Sequence, residues 1–116
     1  MQMTCLLVGV PNTISSIFDQ MFVDWCILTA IDTDQVKSLL KEAHEIDLVF
    51  IDLLSDSKQR LELLAMMKND VLYSKVKILV LTDDKLPEIE ISAIRMGVDD
   101  YVRTPVYKES FVPRLK

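Results

Sequence analysis

The chain has 116 residues, room for one hydrophobic core and not for two. Half of the residues are hydrophobic, which excludes disorder, and 18 carboxylates against 13 Lys and Arg argue against a nucleic-acid or anionic-membrane surface. Unbroken apolar runs, such as residues 48–51 and 78–81, fall far short of the roughly 20 residues of a bilayer span, and Met1-Gln2-Met3-Thr4 lacks the features of a signal peptide.

Residues 3–10 are apolar apart from Thr4 and Gly9 and read as a first buried strand. Pro11-Asn12-Thr13 ends it and starts a helix, whose face is Ile14, Ile17, Phe18, Met21 and Phe22 at helical spacing. Residues 26–31 form a second strand. Asp32-Thr33-Asp34 then caps a second helix carrying Val36, Leu39, Leu40 and Ala43. Residues 47–52 are a third strand, apolar until Asp52. Polar residues 55–59 open a third helix with Leu61, Leu64 and Ala65 as its apolar set. Residues 76–82 are a fourth strand, and Pro87 fits the first turn of a fourth helix that stops at Gly97. Asp100–Arg103 is a short fifth strand, and residues 106–116 begin a fifth helix, with Pro113 oddly placed in it.

Five strands alternate with five helices. Continuously apolar strands are covered on both faces, so the expectation is a flavodoxin-like, doubly wound (βα)5 parallel sheet, order 2-1-3-4-5, with helices on both faces. Function in such a sheet belongs at the C-terminal strand ends, near the switch in strand order. No repeat or interdomain linker is visible. Residues 1–116 are expected to form one domain, the N-terminal part of a longer protein.

The remaining chemistry-bearing residues read blandly. Cys5 and Cys26 lie in apolar stretches and are expected to be reduced thiols, with a mutual disulfide as the alternative; a single His, His44, leaves no zinc set. Trp25 is expected to pack an edge. The Asp83-Asp84 and Asp99-Asp100 pairs are expected in turns and caps rather than on a metal. Ile89 and Ile91 on the fourth helix are divided between core and an exposed partner surface.

The segment Leu48-Val49-Phe50-Ile51-Asp52-Leu53, with Leu61-Glu62-Leu63-Leu64 after it, resembles the phosphoacceptor strand and third helix of the receiver domains of two-component response regulators (CheY-like). Residues 93–102, Ala-Ile-Arg-Met-Gly-Val-Asp-Asp-Tyr-Val, are similar to that family's A-x-x-x-G-A-D-D-Y-[LV] stretch, and Pro105 stands where the family has the Pro of its Lys-Pro pair. The resemblance covers essentially the whole chain. It implies that Asp52 is the phosphoacceptor candidate, served by a histidine kinase. It further implies that Thr82 and Tyr101 are the switch pair, and that the Thr104–Pro105 bond is cis. The fourth-strand, fourth-helix, fifth-strand and fifth-helix face would then be the output surface, toward a protein partner, an attached output domain or a second copy in a homodimer. The expected setting is the cytoplasm, without direct nucleic-acid or membrane contact.

The chain also departs from that pattern. Gly9 and Val10 stand where the family ends its first strand with an acidic pair that holds Mg²⁺. Thr104 replaces the Lys that pairs with the phosphate. Ser55-Asp56 replaces Met-Pro after Asp52, and Asp83 replaces the small residue after Thr82. Mg²⁺ wants several oxygen ligands, and phosphoryl transfer to a carboxylate needs charge neutralisation. Arg103 is adjacent to Thr104, but neighbouring strand residues point to opposite faces, so only a bulge would re-aim it. The leading expectation is therefore a degenerate receiver, a pseudo-receiver that is not an enzyme and needs no cofactor. In it, Asp52 is an acceptor for nearby backbone amides, and the domain works by protein interaction. The alternatives are a conventional receiver phosphorylated with low efficiency on Asp52, for which alone Mg²⁺ is expected, and a small flavodoxin-like ligand-binding protein or enzyme.

Overall fold

A computed structural model describes residues 3–42, 45–83, 85, 87–104 and 109. Expectations for His44, for Asp84, for the Thr104–Pro105 bond and for a fifth helix over residues 106–116 lie outside the described residues. Five strands, β1 (Thr4–Val8), β2 (Cys26–Ala30), β3 (Leu48–Asp52), β4 (Lys77–Thr82) and β5 (Asp100–Arg103), form one parallel sheet in the order β2-β1-β3-β4-β5. Between them run α1 (Asn12–Met21), α2 (Thr33–Glu42), α3 (Ser57–Asn69) and α4 (Pro87–Arg95), with a 3-10 turn at Val71–Tyr73. This is the expected doubly wound arrangement. The strands are one to three residues shorter than the apolar runs that marked them, except β5, which matches.

Strand side chains alternate between two cores, as a period of two requires. Leu6, Val8, Val49, Ile51, Ile78 and Val80 face α2, α3 and α4, packing on Val36, Leu63, Leu64, Met67 and Ala93. Cys5, Leu7, Leu48, Phe50, Leu79, Leu81 and Val102 face the other way, onto Ile14, Phe18 and Phe22 of α1. There the Phe18 ring lies 5.7 Å from Phe22 and 6.0 Å from Phe50, centre to centre, and Trp25 stacks on Phe22 at 4.3 Å. Both cysteines are free thiols, Cys5 fully buried and Cys26 half-buried on the β2 edge.

Local chemistry sets the helix ends. Asp32 Oδ1 accepts the Gln35 N–H at 2.8 Å while Gln35 Oε1 accepts the Ile31 N–H at 2.7 Å, a reciprocal cap on α2. Gly97, at φ +89°, closes α4: its N–H donates to Ile94 O and the Val98 N–H to Ala93 O. At the rim where the strands begin, Asp47 Oδ2 accepts the Thr4 N–H at 2.8 Å and Asp99 Oδ2 accepts the Ile78 N–H at 2.7 Å. Backbone bonds continue that lacing from Cys26 to Met3 O, from Asp47 to Thr4 O, from Lys77 to Asp47 O and from Asp99 to Ile78 O.

Candidate functional site

The strand order reverses beside β1, so the C-terminal ends of β1 and β3 bound the crevice where this architecture places ligands. Gly9 follows β1 there, and Asp52 ends β3. Asp52 is buried, 3% exposed. Its Oδ1 accepts the Leu54 N–H at 2.8 Å and its Oδ2 the Ser55 hydroxyl at 3.1 Å. The turn continues through Asp56, which takes the left-handed conformation at φ 50°, and Ser57, whose hydroxyl donates to Leu53 O at 2.6 Å. An Asx turn thus holds the carboxylate from below its own loop.

The crevice itself is filled by Arg60. This residue rises from the first turn of α3, on the helix face that also buries Leu63, Leu64 and Met67. Its side chain is as buried as theirs, 4% exposed. Nη1 donates to Val8 O at 3.3 Å and to Asp52 O at 3.0 Å, and Nη2 donates to Ile31 O at 3.1 Å. Three carbonyls from the ends of β1 and β3 and the turn after β2 therefore converge on one guanidinium. A cation alone would be costly to bury here. Two features make this one tolerable: guanidinium is weakly hydrated with donors in a fixed fork, and three carbonyl oxygens meet those donors.

Gly9 is what admits the guanidinium. It sits at φ +65°, and a Cβ built on it would lie 2.6 Å from Arg60 Cζ, closer still to both terminal nitrogens. A side chain at this position and the Arg60 arm cannot share the space.

The Mg²⁺ expected of a conventional receiver does not fit these residues. Gly9 and Val10 bring no carboxylate, the Asp52 carboxylate accepts from Leu54 and Ser55, and three of the backbone carbonyls nearby accept N–H donors from Arg60. A hard dication wants carboxylate and water oxygens, not a guanidinium at contact distance. Among the described residues, no three His, Cys, Asp or Glu side chains gather as a metal set.

A second group forms one strand over. Thr82 ends β4 on the α4 side of the sheet, and its register partner in β5 is Arg103. The Thr82 hydroxyl donates to Glu90 Oε2 at 2.9 Å. Arg103 grips the same carboxylate at two points, Nε to Oε2 at 2.9 Å and Nη2 to Oε1 at 2.6 Å. The hydrogen bond from Arg103 is the main cause holding the Glu90 carboxyl below the usual carboxylate range; burial pushes the other way, and the Thr82 hydrogen bond and the charge of Arg103 help to lower it. The Arg103 guanidinium also lies 5.5 Å from the centre of the half-buried Tyr101 ring. Thr104 donates its N–H to Thr82 O at 2.9 Å.

The residues singled out in the sequence thus fall into two groups. Gly9 and Asp52 meet at Arg60. Thr82, Tyr101 and Thr104 meet at Arg103 and Glu90. Val10 packs on the α1 side. Arg103 takes no bulge toward the crevice; strand alternation sends it to α4. Asp83 makes the expected turn, its Oδ1 accepting the Lys85 N–H. Arg60 and Glu90 were not anticipated. Their signals were indirect: a Gly where an acid would stand, and a Glu set among apolar residues of the fourth helix.

A shallow cleft of about 460 Å³ opens between α2 and α3, lined by Asp32, Asp34, Lys37, Gln59 and Glu62 among others. Half of the lining residues are charged and the rest are polar or apolar, with no glycine-rich phosphate loop beside them.

Solved structures resemble this arrangement closely. The chemotaxis response regulator CheY4 of Vibrio cholerae superposes with a TM-score of 0.81 at 18% identity, over 99% of this chain and 97% of that one. The fold is that of the response-regulator receivers. The N-terminal signal receiver domain of a two-component response regulator from Bacteroides fragilis gives 0.82 at 16% identity, over 99% and 94%. NtrX from Brucella abortus gives 0.79 at 21%, over 99% of this chain but 26% of that one, so the receiver fold also occurs as one part of a longer chain. No protein-family model and no curated protein matches the sequence.

Proposed function

We propose that this chain is a receiver-like signalling module that has lost the Mg²⁺-dependent phosphorylation of its kind. It acts by binding, not catalysis, through the face made by α4 and β5. The observation that carries this reading is Arg60, whose guanidinium fills the crevice that the chemistry would need. Two further features support it. The Thr82 hydroxyl is engaged by Glu90 on α4, away from Asp52. Ile91 and Ile94 lie on the outer side of α4, 48% and 47% exposed, an apolar pair suited to a protein partner or an output domain in the same chain. The module would work in the cytoplasm.

The test is a backbone-amide NMR titration with Mg²⁺, then with Mg²⁺ and beryllofluoride, an acyl-phosphate mimic. The expected result is no saturable shift at Asp52, Thr82 or Tyr101 in the folded protein. Saturable shifts at these three would overturn the reading in favour of a conventional receiver phosphorylated on Asp52 by a histidine kinase.

A further inference from the structure

We propose that Arg60 is a built-in cation: its guanidinium occupies a carbonyl-lined cation site at the strand-order switch and takes over, permanently, the place of a divalent metal ion. Three observations carry this. The carbonyls of Val8, Ile31 and Asp52 come from three separate chain segments and converge on one point, the geometry of a cation site rather than of a helix surface. The guanidinium belongs to a buried residue, 4% exposed, and carbonyl oxygens take the place of water around it. Gly9 supplies the room, through a positive φ and the missing Cβ. Carboxylate at Gly9 and guanidinium from Arg60 are thus alternative occupants of one volume: an acid there would call for an external dication, and the arginine makes it redundant.

The site consequently carries its counter-charge at every metal concentration. The loop after Asp52 keeps the conformation in which Leu54 and Ser55 bind the carboxylate, whether or not metal is present. This deepens the proposed signalling role and rests on it for its biological meaning, but its geometry stands alone.

The experiment compares thermal unfolding of the wild type, Arg60→Ala, Arg60→Lys and Gly9→Asp/Arg60→Ala. Each is measured with added MgCl₂, methylguanidinium chloride or neutral methylurea, at ionic strength matched with NaCl. The wild type and Arg60→Lys are expected to show no cation-specific change. Arg60→Ala is expected to gain a saturable rise in Tm with methylguanidinium and not with methylurea, as a ligand bound only by the folded state must give. The double variant is expected to gain a saturable rise with MgCl₂.

A wild type stabilised saturably by Mg²⁺ overturns both this proposal and the signalling reading. A silent wild type, with an Arg60→Ala that responds to methylurea as it does to methylguanidinium, overturns this proposal alone. If Arg60→Ala does not fold, Arg60→Met decides: folding as stably as wild type without added cation overturns the proposal, and folding only with methylguanidinium supports it.

Discussion

Glu90 in α4 and Arg103 in β5 are joined at two points, and the Thr82 hydroxyl donates to the same Glu90 oxygen that takes Arg103 Nε. One carboxylate therefore fastens α4 to the ends of two neighbouring strands. The two partners are unequal: the Glu90 side chain is 9% exposed and that of Arg103 55%.

That asymmetry sets the order of two substitutions. Arg103→Ala strands a buried carboxylate with only the Thr82 hydroxyl donating to it among the bonds described here, whereas Glu90→Gln removes the charge partner of a guanidinium that is already half exposed to water. Arg103→Ala is expected to cost about 2 kcal/mol and Glu90→Gln about 1 kcal/mol. Urea unfolding of both variants measures the difference, and the reverse order would contradict the packing described.

The same carboxylate links stability to pH. Its folded pKa lies below the ordinary value of 4.5, chiefly through the Arg103 hydrogen bond. The stabilisation it brings is therefore complete above that ordinary value and is lost as pH falls through the lower, folded value. Wild type should exceed Glu90→Gln in stability at neutral pH, and the gap should narrow as pH falls below the ordinary carboxylate value and through the lower, folded one. A gap that persists or widens there would show that the charge of Glu90 is not what fastens α4.

Gly9 and Gly97 both have positive φ, but only Gly9 has a crowded surrounding. A Cβ on Gly97 would meet Lys68 Cε at 3.5 Å, an ordinary contact, so Gly97→Ala should cost only the backbone strain, about 1–2 kcal/mol. On Gly9 the Cβ would collide with a guanidinium pinned by three carbonyls, and Gly9→Ala should cost about 2–5 kcal/mol. Denaturant midpoints at unchanged slope would report both.

Burial pushes the Cys5 thiol up to about 12, so in the folded protein it is neither ionised nor reachable. With a disulfide-exchange reagent at mildly alkaline pH, Cys26 should react first and Cys5 only as fast as the sheet opens. Cys26→Ser should then abolish the fast phase. A fast phase surviving in Cys26→Ser would mean that β1 is not the closed central strand described here.

The fold was legible because its signals are the simplest ones: runs of Leu, Ile and Val for strands covered on both sides, and polar breaks between them. The site was legible only where a residue type speaks for itself, as at Asp52. Arg60 did not, because a charged residue in a helix first turn reads as solvated; of the face expected at Leu61, Leu64 and Ala65, Leu64 is fully buried and Leu61 packs on the core, but the stripe extends to Arg60. The buried set is Arg60, Leu63, Leu64 and Met67, an i, i+3, i+4, i+7 stripe in which the arginine is the first inward residue. In α4 the two roles open to the isoleucines divide: Ile89 packs on the core, Ile91 and Ile94 look outward, and Glu90 and Ala93 are the buried pair. Partners distant in sequence decide such cases, and local pattern does not contain them.

The carboxylates of Asp47 and Asp99 give the two hems of the sheet different fastenings. They stitch the beginnings of β1 and β4 to the turns before β3 and β5, so the strands are sewn together along one hem. The opposite hem has backbone bonds as well, from Gly9 to Ala30 O, from Leu53 to Leu81 O and from Thr104 to Thr82 O, and adds to them the guanidinium of Arg60 on one stretch and the carboxylate of Glu90 on the next. Each end of the sheet thus pins neighbouring segments with side-chain charge on top of the backbone ladder, acids where the strands begin and both signs where they end.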